Sequence, residues 1–444
     1  MKRISLLILF IILMLLPACN FPAPEQKQLP TTTETASSVP PTNTTLPQPT
    51  ETWLPTSTVD PLAGATSTPS PPAVDISTPD LSDLLAGEPI ALLSAGADLT
   101  IHEVKMITDQ EGWAISRVDP GIDHILVTKD GGSTWQDVTP PQPGLDQRKT
   151  LHVSAAFPGL DTAFVYYHGS QMVWTTQDGG LTWSAGAVQF PSRYGALFAA
   201  LDADHAWVFQ FLDAGMSKVY TSLVRTTDGG DSWQTILDPY TDASIQSFDK
   251  TGVVFVSPQE GILTRNFRGV AAYVEISLTT DGGKTWENIR IPPPPSQPEI
   301  LKSASCACGL YDPSADSIEQ ITARLTCSCF FEEGEVFYNY LYQTSNGGDN
   351  WTISPMPEGE LYSITDSILF AVSRDIKKST DGGATWNPVK TVNWDGEFSF
   401  INQNLAWGVA YDPQDEEYAL VKTTDGCNSF EIIRPQLLPS PSSR

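Results

Sequence analysis

Seven times between Thr128 and Phe430 the chain writes nearly the same eight residues, the first copy being Thr128-Lys129-Asp130-Gly131-Gly132-Ser133-Thr134-Trp135. The acidic position falls at Asp130, Asp178, Asp228, Asp281, Asn346, Asp381 and Asp425. The aromatic position falls at Trp135, Trp183, Trp233, Trp286, Trp351, Trp386 and Phe430. Successive spacings of the acidic position are 48, 50, 53, 65, 35 and 44 residues. A period of that size means one supersecondary unit copied around a ring or along an array.

One unit can be read directly. Val104 to Ile107, Gly112 to Ser116, Ile125 to Thr128 and Trp135 to Val138 are short stretches rich in branched or aromatic residues, each bounded by Asp, Gly or Pro. Such stretches predict strands. Four strands per unit make a blade, and radial closure of blades leaves only short, protected sheet edges. The expected fold is therefore all-β: a seven-bladed propeller of four-stranded antiparallel blades over residues 86–436. An open solenoid is the alternative, but it needs polar capping repeats, and the first and last copies are as apolar as the rest.

The recurring loop accounts for its own composition. An aspartate carboxylate accepts N–H bonds from the turn that follows, and the glycine pair supplies the positive φ that other residues resist. The aromatic ring covers the turn, and an indole N–H finds a carbonyl. On this reading the seven acidic positions and their aromatic partners are structural. One acid per loop, spread around a ring, gives no converging cluster for catalysis or metal binding, so no cofactor is expected.

The pattern Ser/Thr-x-Asp-x-Gly-x-Thr-Trp resembles the Asp-box, or BNR, repeat. The longer form, with Gly112-Trp113-Ala114 on the second strand, is similar to the photosystem II assembly and stability factor group of propellers. The resemblance covers some three quarters of the chain and implies the propeller fold. Asp-box propellers include sialidases, xyloglucan hydrolases, sorting receptors and assembly factors, so fold alone does not assign activity. The assembly factors resemble each other in a basic partner-facing surface, from which this chain departs.

Before the repeats, Met1-Lys2-Arg3 precedes an apolar run from Ile4 to Leu16 and then Pro17-Ala18-Cys19, the order of a secretory signal. Ending in cysteine after small residues, residues 1–19 resemble a bacterial lipobox, which implies lipidation of Cys19 and a membrane-anchored, extracytoplasmic protein. Residues 20–85 are Pro/Thr/Ser-rich and too poor in apolar side chains to offset chain entropy, so a disordered tether is expected there and a disordered tail over 437–444. The chain carries 25 Lys and Arg against 52 Asp and Glu, a net charge of −27. Such a surface repels nucleic acid and anionic lipid headgroups, leaving the N-terminal lipid as the expected membrane contact.

The longest interval between copies holds Cys306-Ala307-Cys308 and Cys327-Ser328-Cys329. Paired residues in a hairpin keep a constant index sum, which sets Cys306 opposite Cys329 and Cys308 opposite Cys327. Oxidation to two disulfides is expected in an exported protein, with a four-thiolate zinc site as the alternative. Cys427 replaces the second glycine of the last copy and is expected to be a buried bystander, because no His lies near it in sequence.

For function the expectation is a non-catalytic, monomeric binding or assembly scaffold for a protein or polysaccharide, offering loops such as Arg117 to His124, Leu212 to Lys218 and Asp412 to Glu417, with the Pro-rich stretch Pro292 to Pro298, at one face. The alternative is an exported glycoside hydrolase of the sialidase or xyloglucanase type. A sialidase site would need three arginines around a carboxylate, a Tyr with a Glu, and an acidic proton donor.

Overall fold

The computed structural model describes residues 78–440 apart from 119–120, 143–144, 146–149, 193, 216–217, 243–248, 268–273, 333 and 416. The chain divides into two units, Met1–Pro72 and Ala73–Arg444. The signal segment, Cys19, the linker up to residue 77 and the tail from residue 441 lie outside the described residues.

Almost all regular structure is β. Among the described residues there are six hydrogen-bonded sheets: four of four strands, one of five and one of eight. The eight-stranded sheet is two antiparallel four-strand units joined where Asn266 and Phe267 pair with Gly309 and Cys308. In each unit consecutive strands pair antiparallel, as in Ile101–Met106, Gly112–Val118, Ile122–Thr128 and Thr134–Asp137. Middle strands such as Ile122–Thr128 and Met172–Thr176 are buried along their whole length. They are buried on both faces because a neighbouring sheet stacks on each, and the polar side chains among them, such as Asp123 and His124, are buried as well. Fourth strands such as Asn387–Thr391 are largely exposed and correspondingly polar.

Apolar clusters join each unit to the next, which makes the arrangement propeller-like. Trp113 packs with Val165, Phe164 with Val208, Trp207 with Leu263, Ile262 with Leu325, Leu341 with Leu369 and Phe370 with Phe398, each pair in one buried cluster. Trp407, Val409 and Leu420 of the last unit share a cluster with Val104, Ala114, Leu126 and Trp135 of the first. Closure is also made by the backbone: Gln436 and Leu437 run parallel to Thr134 and Trp135, and Leu438 N donates to Trp135 O at 2.8 Å.

Two expected boundaries move. Leu437, placed in the tail by composition, is buried under that closing contact. Residues 81–85, placed in the linker, begin with a short helix Leu81–Leu84 capped by Asp80, whose Oδ1 accepts from Ser82 N at 2.9 Å. Leu81 and Leu84 are partly buried and pack on the cluster around Trp113, which gives the short helix its tertiary contact.

The recurring turn is built the same way each time. In the third copy Asp228 Oδ1 accepts from Ser232 N (3.0 Å) and its Oδ2 accepts from Ser232 Oγ (2.5 Å). Thr226 Oγ1 donates to Asp228 (2.8 Å) and accepts from Gly230 N (2.9 Å). Gly230 sits at φ +92, and a Cβ there would meet Thr175 of the preceding unit, so both backbone freedom and space demand glycine. The indole is less uniform than the sequence implies. Trp135 and Trp286 donate within their own turn and Trp183 donates to Val138 O, whereas the N–H groups of Trp233, Trp351 and Trp386 have no acceptor among the described residues. Second-strand tryptophans do the stitching between units: Trp207 Nε1 donates to Gly282 O (3.0 Å) and Trp407 Nε1 to Gly131 O (2.9 Å).

These turns predict acid sensitivity. Burial by itself raises the Asp228 carboxyl, but hydrogen bonds from Ser232 and Thr226 outweigh it and hold it below the ordinary range. At exposed Asp381 the Thr385 hydroxyl leads and the group is held down to about 2. A carboxyl depressed by folding contributes stability above its unfolded pKa, and that stability is lost as pH falls through the folded value. The melting temperature should therefore drop between about pH 4 and pH 2. Asp228→Ala should cost about 1–3 kcal/mol at neutral pH. Asp228→Asn, which copies the acceptor Asn346 offers to Asn350 N (3.0 Å), should cost less and flatten the acid limb. Thermal scans across that pH range would refute the assignment if all three proteins melted alike.

Cys306 is joined to Cys329 and Cys308 to Cys327, in the register Cys306↔Cys329 and Cys308↔Cys327 of two adjacent strands. All four are buried, as is the unpaired Cys427. Burial first, then the Asp425 charge, pushes the Cys427 thiol up to about 12, which leaves it a protonated apolar group. Intact-mass measurement after alkylation in denaturant should find four further thiols only after reductant. Four thiols already free would contradict the pairing.

Candidate functional site in the central channel

The first strands of several units line one open cavity of about 650 Å³. Glu103 comes from Ile101–Met106, Glu360 from Glu360–Ser363 and Glu397 from Asp395–Phe400, and all three carboxylates line it, with Lys105 beside Glu103. Glu360 and Glu397 also line the adjoining cavity of about 590 Å³ at the channel mouth, with His102, Arg324, Phe337 and Tyr418. Acids from the first and the last two units of the ring thus converge at one waist. A strand's position in the ring brings together residues that lie far apart in the chain.

The three glutamates are not equivalent. Burial first, then the Glu397 charge, pushes Glu103 up to about 7, with Lys105 opposing. Glu397 is raised by burial and then by Glu360. Both side chains are exposed by surface area while protein surrounds them at longer range, so only the upward direction holds and no stability figure follows from it. Interacting carboxyls of this kind titrate as a set. Glu360 is held differently: Tyr362 Oη donates to its Oε2 at 2.9 Å and accepts from Phe398 N at 3.0 Å. Burial, then the Glu360 charge, drives the Tyr362 phenol far above its ordinary range, so it remains a donor. A phenol donor is strongest toward an ionised carboxylate. The cavity therefore holds one carboxyl pushed up to about 7 and another that accepts a phenol hydrogen bond.

A second polar group lies beside His102. Arg117 Nε donates to Asp123 Oδ1 (2.7 Å), and Arg117 Nη2 lies 2.7 Å from His152 Nδ1. Ser154 Oγ contacts His168 Nε2 (3.0 Å) and donates to Ala196 O (2.8 Å). Burial, then His152, lowers His168 to about 4, leaving it neutral. Asp123 Oδ2 takes the Val153 amide and lies 3.5 Å from His152, so no acid–His–Ser relay is assembled.

The recurring acids stay apart. Each serves its own turn, and none lines the channel; Asn346 alone of them lines a cleft of about 600 Å³, whose only acids are Asp316 and Asp366. Strand extends into the expected recognition loops, running to Val118, Gly215 and Asp412. Among the described residues no group of three His, Cys, Asp or Glu is arranged to hold a metal ion.

No family model matches the chain, and no curated protein matches it. Solved structures do. A GH74 enzyme from Niastella koreensis is 12% identical over 76% of this chain and 62% of its own, with a TM-score of 0.34. The GH74 xyloglucanase from Xanthomonas campestris is 14% identical over 76% and 64%, with a TM-score of 0.34. An α-L-arabinofuranosidase from Fusarium graminearum is 11% identical over 77% and 98%, with a TM-score of 0.37. The chain thus spans under two thirds of the length of the two GH74 structures. At such distance the likeness carries no argument of its own, and the chemistry must come from the residues. With Glu103, Glu360 and Glu397 lining one cavity, the reading of the chain as a non-catalytic scaffold is withdrawn.

Proposed function

We propose that the chain is an exported Asp-box propeller of seven blades that hydrolyses glycosidic bonds at the waist of its channel, tethered to a membrane through Cys19. The observation that carries the reading is the set Glu103, Glu360 and Glu397 around one solvent-filled cavity, with Tyr362 fastened to Glu360. Glycoside hydrolysis needs two carboxyl groups flanking the scissile bond, one protonated and one ionised. Glu103 gives its proton to the glycosidic oxygen as the bond from the anomeric carbon to that oxygen breaks. Glu360, with its second oxygen free of Tyr362, supports the anomeric carbon or the water that adds to it, and Glu397 maintains the charge that keeps Glu103 protonated.

A sialidase variant of this reading lacks support. Arg324 is the one arginine lining these two cavities, and its charge is already met by Asp312 at 2.6 Å. The test is release of reducing ends from a panel of plant and microbial polysaccharides. No cleavage of any polymer by the full chain, or cleavage undiminished in Glu103→Gln, would overturn the proposal.

A further inference from the structure

One wall of the channel mouth is built from long strands braced by the two disulfides. Cys306–Ala315, Ile321–Phe331 and Gly334–Thr344 have 10, 11 and 11 residues, while the equivalent strands of the first unit have 6 or 7. The two disulfides brace the first pair of these strands, and the third strand pairs across from them, Phe337 opposite Ser328 and Asn339 opposite Thr326. The pairing register shifts between Tyr311 and Ser314, and within that bulge Asp312 adopts φ +51, the left-handed region that favours glycine. A strained residue in a bulge re-aims what it holds. Asp312 Oδ2 accepts from Arg324 Nε at 2.6 Å and from Leu361 N of the next unit at 3.0 Å. Arg324 Nη1 donates to Thr326 Oγ1 at 2.8 Å, and its guanidinium lies 5.2 Å above the Tyr311 ring. The guanidinium is thus fixed on one edge, and its Nη2 takes no acceptor among the described residues.

Arg324 lines the cavity at the mouth together with Asn339 and the exposed ring of Phe337, next to Glu360 and Glu397. We propose that Arg324, Asn339 and Phe337 form a subsite for an uncharged sugar of the polymer whose bond is cut at the glutamates; in this the inference rests on the hydrolase reading. The ring of Phe337 offers a face for stacking on a sugar ring, and Arg324 Nη2 with the Asn339 amide offers polar contacts to hydroxyl or acetamide oxygens. An anionic sugar is disfavoured because the Arg324 charge is already paired while Glu358, Glu360, Asp395 and Glu397 line the same cavity. Among the described residues Asp395 alone of these carries a basic partner, Arg374 at 2.9 Å.

Affinity electrophoresis of the full-length chain through gels cast with hydroxyethylcellulose, galactomannan, xyloglucan or polygalacturonate tests this, with cleavage measured in parallel. Retardation is expected with at least one neutral polymer and not with polygalacturonate. Phe337→Ala and Arg324→Gln should each weaken it about tenfold or more. Phe337→Ala removes an exposed ring and should melt with the parent, so its loss of binding cannot be ascribed to unfolding. Retardation by no neutral polymer, unchanged retardation in Phe337→Ala, or stronger retardation by polygalacturonate overturns the subsite. Cleavage with both variants binding normally would overturn the subsite and leave the hydrolase reading intact. Retention sensitive to both variants without any cleavage would do the reverse.

Discussion

Glu103→Gln is expected to lower kcat/KM on a cleaved polysaccharide by about 10²–10⁴-fold, the usual contribution of a positioned general acid. Glutamine keeps the shape and the acceptor oxygen but has no proton to give. The pH profile sharpens the test. A carboxyl pushed up to about 7 is protonated below that pH, so the parent's rate should fall as pH rises through about 7. In the variant that alkaline limb should vanish along with most of the rate. Stability should move the other way. A carboxyl whose folded pKa is raised favours the folded state while it is protonated, below its unfolded value, and this is lost as pH rises through the folded value. Glu103→Gln should therefore melt higher than the parent at pH 8 and close to it at pH 4. Activity retained within about tenfold, with the alkaline limb in place, would remove Glu103 from the acid role.

The turns were legible because they are local. Asp228, Gly230 and Ser232 meet within a few residues, and the need for a carboxylate acceptor and a positive φ is written into their types. The pairing of Cys306 with Cys329 was legible for a similar reason: antiparallel register converts spacing into opposition. The waist was not. Glu103, Glu360 and Glu397 sit on first strands that carry no recurring motif, and their proximity exists only once the ring closes. In a chain with 52 acids, three glutamates give no local signal. Setting the units in register would have helped, since His102-Glu103-Val104 and Gly396-Glu397-Phe398 occupy like positions of the first and last first-strands. Arg324 was missed because its role depends on the backbone of Asp312, and an Asp-Pro dipeptide in a strand announces an irregularity without its direction.

Closure of that ring should concentrate in one side chain. Trp407 is fully buried, donates to Gly131 O at 2.9 Å across the junction of last and first units, and carries Lys422 Nζ 4.5 Å above its ring. Trp407→Ala should cost about 3–5 kcal/mol from the lost ring alone, and leaving the Gly131 carbonyl without its donor belongs to the same loss. Trp207→Ala is the control: that indole is equally buried, donates to Gly282 O at 3.0 Å and stacks on Phe255 at 3.6 Å, but joins two units in mid-ring. Both variants remove the same chemistry, so a difference between them reports position. The mid-ring contact is backed by chain connectivity, whereas the closing contact lacks it and is backed by the buried cluster around it, by Met106 N donating to Ser399 Oγ at 2.9 Å and by the short pairing of Gln436 and Leu437 with Thr134 and Trp135. Amide exchange at Gln436 and Leu438 should therefore accelerate in Trp407→Ala and remain slow in Trp207→Ala at equal overall destabilisation. Because the channel glutamates come from both sides of the junction, Trp407→Ala should also lose hydrolysis at temperatures where it remains folded. Slow exchange and undiminished hydrolysis in Trp407→Ala would mean that the closing strand holds the ring by itself.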